Sequence, residues 1–106
     1  MAINMDAKIK FVRGNVFTRE FELKNVDLNL VFALRIVCED LKIIKSIYPN
    51  DEGIFTFHLS TVETGNMPDI HTTYNLDVVF IDGSKKTIFY KEQFIVLPND
   101  DGSAIG

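Results

Sequence analysis

Cys38, His58 and His71 are the soft or imidazole ligands of this chain, and carboxylate pairs such as Asp51 with Asp82 are its candidates for general acid and base. A structural zinc site needs four such ligands in close paired spacing, and three scattered residues do not supply it. His58 falls on the polar face of an alternating run and His71 in a loop, so both read as ordinary exposed histidines. Cys38 extends an apolar face as a small core hydrophobe; a thiol nucleophile with a histidine partner stays open, but no local signature supports it. Asp51 and Asp82 could meet as a glycosidase dyad only if two loops converge at one end of the fold; otherwise they are solvated carboxylates. The loops Asn50-Asp51-Glu52-Gly53 and Asn99-Asp100-Asp101-Gly102 hold oxygen ligands suited to calcium, yet they lack the spacing of an EF-hand and match plain turn chemistry. With no nucleophile elbow and no glycine-rich phosphate loop, the expectation is a protein that is not an enzyme and has no cofactor or metal.

The balance of 15 acidic against 11 basic residues gives a net charge of -4. No basic stripe is offered to a phosphate backbone, which argues against a nucleic-acid partner. A single cysteine leaves the fold without an internal disulfide, consistent with synthesis in a reducing cytoplasm. The first seven residues lack the basic-then-apolar order of a leader, and no apolar run approaches the roughly 20 residues that span a bilayer. No membrane association is therefore expected. At 106 residues the chain reads as one domain over 8–98, between a flexible N-terminus at 1–7 and a flexible polar tail at 99–106.

The elements that would position these side chains are strands. Gly53-Ile54-Phe55-Thr56-Phe57-His58-Leu59-Ser60 alternates with period two, as does Tyr74-Asn75-Leu76-Asp77-Val78-Val79-Phe80 before the turn dipeptide Asp82-Gly83. Residues 8–13 read as a first strand, and Gly14-Asn15 as a turn that suggests a hairpin with Val16–Lys24. In that second strand Phe17, Phe21 and Leu23 share a face, and Arg19 interrupts it from an expected place near a strand end. The run Leu30 to Cys38 puts Leu30, Phe32, Leu34, Ile36 and Cys38 on one face of a central strand. Leu41 to Ile47 and Thr87 to Leu97 complete the set, the latter with a bend or bulge at Lys91-Glu92. Together these predict an all-β fold, an antiparallel immunoglobulin-like β-sandwich of about seven strands with one short helical turn.

Three residues carry predicted structural roles. Ser60 and Glu63 have the spacing of a capping box, in which the hydroxyl and the carboxylate satisfy unpaired N–H groups at a helix start. Gly65 and Pro68 then end that turn. Tyr74 follows the crossing in the place of a tyrosine corner, where the phenol bonds to upstream backbone.

The segments Phe11-Val12-Arg13-Gly14-Asn15-Val16-Phe17-Thr18-Arg19-Glu20-Phe21, Gly53-Ile54-Phe55-Thr56-Phe57-His58-Leu59, Tyr74-Asn75-Leu76-Asp77-Val78 and Phe80-Ile81-Asp82-Gly83-Ser84 resemble, in order and spacing, the N-terminal domain of phage baseplate upper proteins. The resemblance runs over about residues 9 to 98. It departs at Asn15-Val16, where Asp-Thr is usual, and in the shortened linker Asn25 to Asn29. What it implies is a phage or prophage tail or baseplate structural protein, synthesised in the host cytoplasm and resident in the virion. Such a module docks onto other tail or baseplate proteins, or assembles as a homo-oligomer, through a sheet face or an exposed edge. Lys8, Lys10 and Arg13 could equally protect such an edge. Two alternatives remain: a carbohydrate-binding or adhesion module with Tyr48 and Tyr90 as its exposed aromatics, and a small phage-encoded inhibitor of a host protein whose acidity imitates nucleic acid.

Overall fold

The computed structural model describes residues 2–3 and 7–98 of the chain. Among them run β1 (Ala2–Ile3), β2 (Ile9–Val12), β3 (Phe17–Lys24), β4 (Val31–Cys38), β5 (Ile43–Ile47), β6 (Ile54–Leu59), β7 (Ile70–Phe80) and β8 (Lys85–Leu97). A 3-10 turn at Leu28–Leu30 precedes β4, and one helical turn, α1 (Thr61–Gly65), joins β6 to β7. The fold is all-β. One sheet has the order β1-β3-β6 and the other β2-β8-β7-β4-β5. β1 lies within the seven residues that the sequence reading leaves outside the domain, and it pairs with Leu23 and Lys24 of β3. The polar tail at 99–106 lies outside the described residues.

Two expectations are corrected. The pairing is not purely antiparallel, because β2 runs parallel to β8, with Ile9 opposite Phe94 and Val12 opposite Leu97. Nor do β2 and β3 form a hairpin: they belong to different sheets. Phe11 and Phe17 show why, since both side chains are buried and their ring centroids meet at 5.2 Å. Alternation fixes which way a side chain points but leaves open whether the next strand lies beside it or across the core. Gly14, at φ +86°, takes the left-handed conformation that this crossing requires.

The two sheets bury one shared core. Phe21, Phe55 and Phe57 come from the smaller sheet, and Ile9, Leu34, Ile36, Leu76, Val78, Phe94 and Val96 from the larger. Each such side chain contributes roughly 1.5–3 kcal/mol by leaving water. Arg19 is the third residue of β3, opposite Phe57. Its guanidinium rests 5.7 Å from the Phe17 ring centroid and donates to the Lys8 carbonyl at 3.1 Å.

The start of β4 departs most from simple alternation. Asp27 caps the 3-10 turn by accepting from the Asn29 N–H at 3.0 Å, and this turn takes up Leu30. A register shift against β7 then falls between Val31 and Ala33. As a result Val31, Leu34, Ile36 and Cys38 face the core, whereas Leu30 and Phe32, expected inside, are exposed.

Candidate functional site

The side chains that could do chemistry do not converge. Among the described residues no three of the His, Cys, Asp and Glu side chains group so as to hold a metal ion. Cys38 is a buried free thiol, and burial pushes its pKa up. His58 is exposed, with Nδ1 3.0 Å from the Thr18 hydroxyl across the β3–β6 pair. His71 is also exposed, on β7 rather than in a loop. Asp82 belongs to the β7–β8 turn, where the Ser84 hydroxyl and N–H donate to it at 2.6 and 2.9 Å and hold its pKa down. In the loop before β6 it is Asn50 that organises the backbone, accepting from the N–H groups of Glu52 and Ile54, each at 2.9 Å.

Ser60 and Glu63 form both halves of a capping box: the Ser60 hydroxyl accepts from the Glu63 N–H at 3.1 Å, and the Glu63 carboxylate accepts from the Ser60 N–H at 2.8 Å. The Ser60 N–H bond, with Lys45 nearby, lowers the Glu63 pKa. Tyr74 is buried, and its hydroxyl donates to the Ala7 carbonyl, a partner 67 positions upstream. That bond ties β7 to the backbone entering β2.

Sequence reasoning passed over Thr64 and Asp77, the two polar side chains buried among the described residues. Thr64, on α1, accepts from the Gly14 N–H at 3.0 Å and donates to the Asn15 carbonyl at 2.9 Å. The helical turn thereby satisfies the backbone of the sheet-to-sheet crossing, whose groups would otherwise be costly to bury. Asp77 points outward from β7 beside β4 and β8. The Thr87 hydroxyl donates to it at 2.7 Å, and Arg35 Nη2 and Lys85 Nζ each stand 3.7 Å from its other oxygen. Alternation could place Asp77 on the outer face, but its burial depends on long side chains reaching over it from neighbouring strands.

Two surface regions remain at opposite ends of β4. At its start, Phe32 (54 % exposed) and Tyr48 (57 % exposed) meet edge to face, with ring centroids 5.6 Å apart. Beside them the Ile81 N–H donates to the Leu30 carbonyl at 3.0 Å, and Leu30, Phe80 and Ile81 line an apolar hollow of about 420 Å³. Leu30, Phe32, Tyr48 and Ile81 thus lie exposed, outside the core.

At the other end lies a groove of about 390 Å³, lined by residues that include Glu39, Asp40, Thr73, Asn75, Tyr90 and Lys91. Its shape comes from a bulge, since the β7–β8 register shifts between Tyr74 and Leu76. Lys91 there takes φ +53°, and its N–H donates to Asn75 Oδ1 at 2.8 Å. The bend expected at Lys91-Glu92 is thus present.

The free edge of β6 is covered at both ends. Asn50 donates its N–H to the Ile54 carbonyl at 2.9 Å, and Lys45 donates to the His58 carbonyl at 2.7 Å.

No helix among the described residues is long and apolar enough to cross a membrane. Neither a protein-family model nor a curated protein sequence matches the chain.

Proposed function

We propose that the chain is a non-enzymatic assembly module of a phage or prophage tail or baseplate, built on an immunoglobulin-like β-sandwich. It docks onto other tail proteins, or onto copies of itself, through the apolar end at Leu30, Phe32, Tyr48 and Ile81. Support for the sandwich comes from strand order. β3 and β6 are neighbours in one sheet, and β5, β4, β7 and β8 follow one another in the other, as strands B and E lie opposite C′, C, F and G in an immunoglobulin-like domain. α1 occupies the crossing between the E-like and F-like strands, and Tyr74 follows it.

The observation that carries the docking role is the outward turn of Leu30 and Phe32. The 3-10 turn and the β4 bulge remove these side chains from the core and set them beside Tyr48 and Ile81. Burial of such a group against a partner supplies the apolar centre on which stable interfaces depend. The resemblance to baseplate upper domains indicates which partners to test, namely virion proteins rather than nucleic acid or membrane.

The test measures oligomeric mass by light scattering over a concentration series and, separately, binding to the purified tail proteins encoded beside this chain. The double variant Phe32→Ser, Ile81→Ser is compared with the parent. Self-association or tail-protein binding that the variant loses supports the reading. A parent that stays monomeric and binds none of those proteins, or binding that survives the double substitution, sinks it.

A further inference from the structure

The bulge that re-aims β8 at Lys91 builds a site that the docking role does not use. Tyr90 is 65 % exposed, and one side of its ring faces the Lys91 ammonium at 5.4 Å from the centroid. The backbone beneath is fixed by the Asn75 side chain, which accepts from the Lys91 N–H and holds the residue in the left-handed region. A non-glycine residue kept at positive φ is strained, and such strain concentrates where a side chain must be presented in one direction.

The groove beside Tyr90 carries a mixture of hydrogen-bonding groups. Asp40 is an acceptor-only carboxylate, oriented by a hydrogen bond from the Thr72 hydroxyl. Asn75 has committed its oxygen to Lys91, so its amide N–H groups remain to donate. Thr73 adds a hydroxyl that can do either, and Lys91 adds an ammonium donor. The charges of Glu39 and Asp40 outweigh that of Lys91, which disfavours an anionic ligand. A purely apolar ligand would leave these polar groups unpaired on desolvation. An aromatic ring with an amphipathic character, next to alternating donors and acceptors, suits a ring that has C–H groups on its face and hydroxyls on its rim.

We infer that the groove formed by Tyr90, Lys91, Asn75, Thr73 and Asp40 at the β7–β8 bulge is a binding site for a neutral saccharide, one or two pyranose rings in size. Its volume stands at the small end of the roughly 300–1,000 Å³ range of ligand pockets, and its open side keeps the affinity weak, about 1 mM. Tyr48 takes no part, because it lies at the other end of β4 and its ring is engaged by Phe32.

The experiment is a titration of the isotope-labelled full chain with maltose, cellobiose, lactose and N,N′-diacetylchitobiose, and with inorganic phosphate as the anionic control, read by amide chemical shifts. At least one disaccharide should shift Thr73, Asn75, Tyr90 and Lys91 while phosphate does not. Tyr90→Ala, at an exposed position that leaves folding intact, should weaken that response about tenfold or more; Tyr48→Ala should leave it unchanged. No response to any of the four disaccharides overturns the inference. So does a response that survives Tyr90→Ala, maps to the Tyr48 end, or appears with phosphate alone.

Discussion

Tyr48 and Tyr90 are exposed to nearly the same degree, yet they stand at opposite ends of β4 in surroundings that have little in common. The strand rise of ~3.3 Å per residue separates Phe32 from Val37 by about 16 Å. Tyr48 meets Phe32 at the end of β4 that also exposes Leu30 and Ile81, whereas the groove beside Tyr90 holds carboxylates, hydroxyls, an amide and an ammonium. Exposure alone therefore says little about what an aromatic side chain recognises. The apolar cluster suits a protein surface that can exclude water over several side chains, and the polar groove suits a small hydroxylated ligand.

The sharpest way to break this contrast is to disturb the surface between the two ends. Asp77→Ala removes the Thr87 hydrogen bond and leaves Arg35 and Lys85 facing each other without their carboxylate. A loss of about 2 kcal/mol in urea unfolding is expected. If the two regions owe their character to immediate neighbours, tail-protein binding and the saccharide response both survive in the folded variant. Loss of either would mean that the face acts as one unit.

A smaller effect comes from the third tyrosine, which is buried and serves as the reference. Tyr74→Phe keeps the ring and deletes the bond to Ala7, for an expected cost of about 1 kcal/mol, or a Tm lower by roughly 4–8 °C. An unchanged Tm would deny that tie a structural part. Neither surface function should follow the change.

Smaller still are the stability effects of the exposed pair: Tyr48→Ala and Tyr90→Ala should each stay within about 0.5 kcal/mol of the parent by thermal unfolding. Their functional losses should be exchanged, assembly failing in the first and saccharide binding in the second. A variant that loses both would collapse the distinction.

The mildest expectation concerns pH. Burial raises the Cys38 pKa in the folded chain, so the unfolded chain ionises first as pH rises through the ordinary thiol range. Stability contributed by the neutral thiol is whole below that range and declines above it; Cys38→Ala should flatten this alkaline limb without altering the order of the other variants. Glu63 acts in the opposite sense. Its lowered pKa means that its cap contributes above the usual carboxylate range and is lost as pH falls through the folded pKa.

Much of the fold is legible in the sequence. Period-two alternation located β3, β6 and most of β7, and Ser60 with Glu63 marked the start of α1. Less was legible wherever a local device interrupts the period. The 3-10 turn and one bulge reversed Leu30 and Phe32, which alternation alone assigns to the core. Phe11 and Phe17 could not reveal that their strands face each other instead of pairing, because both arrangements need the same inward residues. At the groove, Tyr90 could be singled out as exposed, but Glu39 and Asp40 come from the far end of β4 and reach it only through tertiary pairing.

The covered edge of β6 has a consequence for any crowded assembly of many copies. With Lys45 and Asn50 occupying its ends, the strand offers too little free backbone to template another chain. Contacts along that edge must then be made by side chains. Strand-by-strand growth into fibres is thereby hindered at this edge of the smaller sheet.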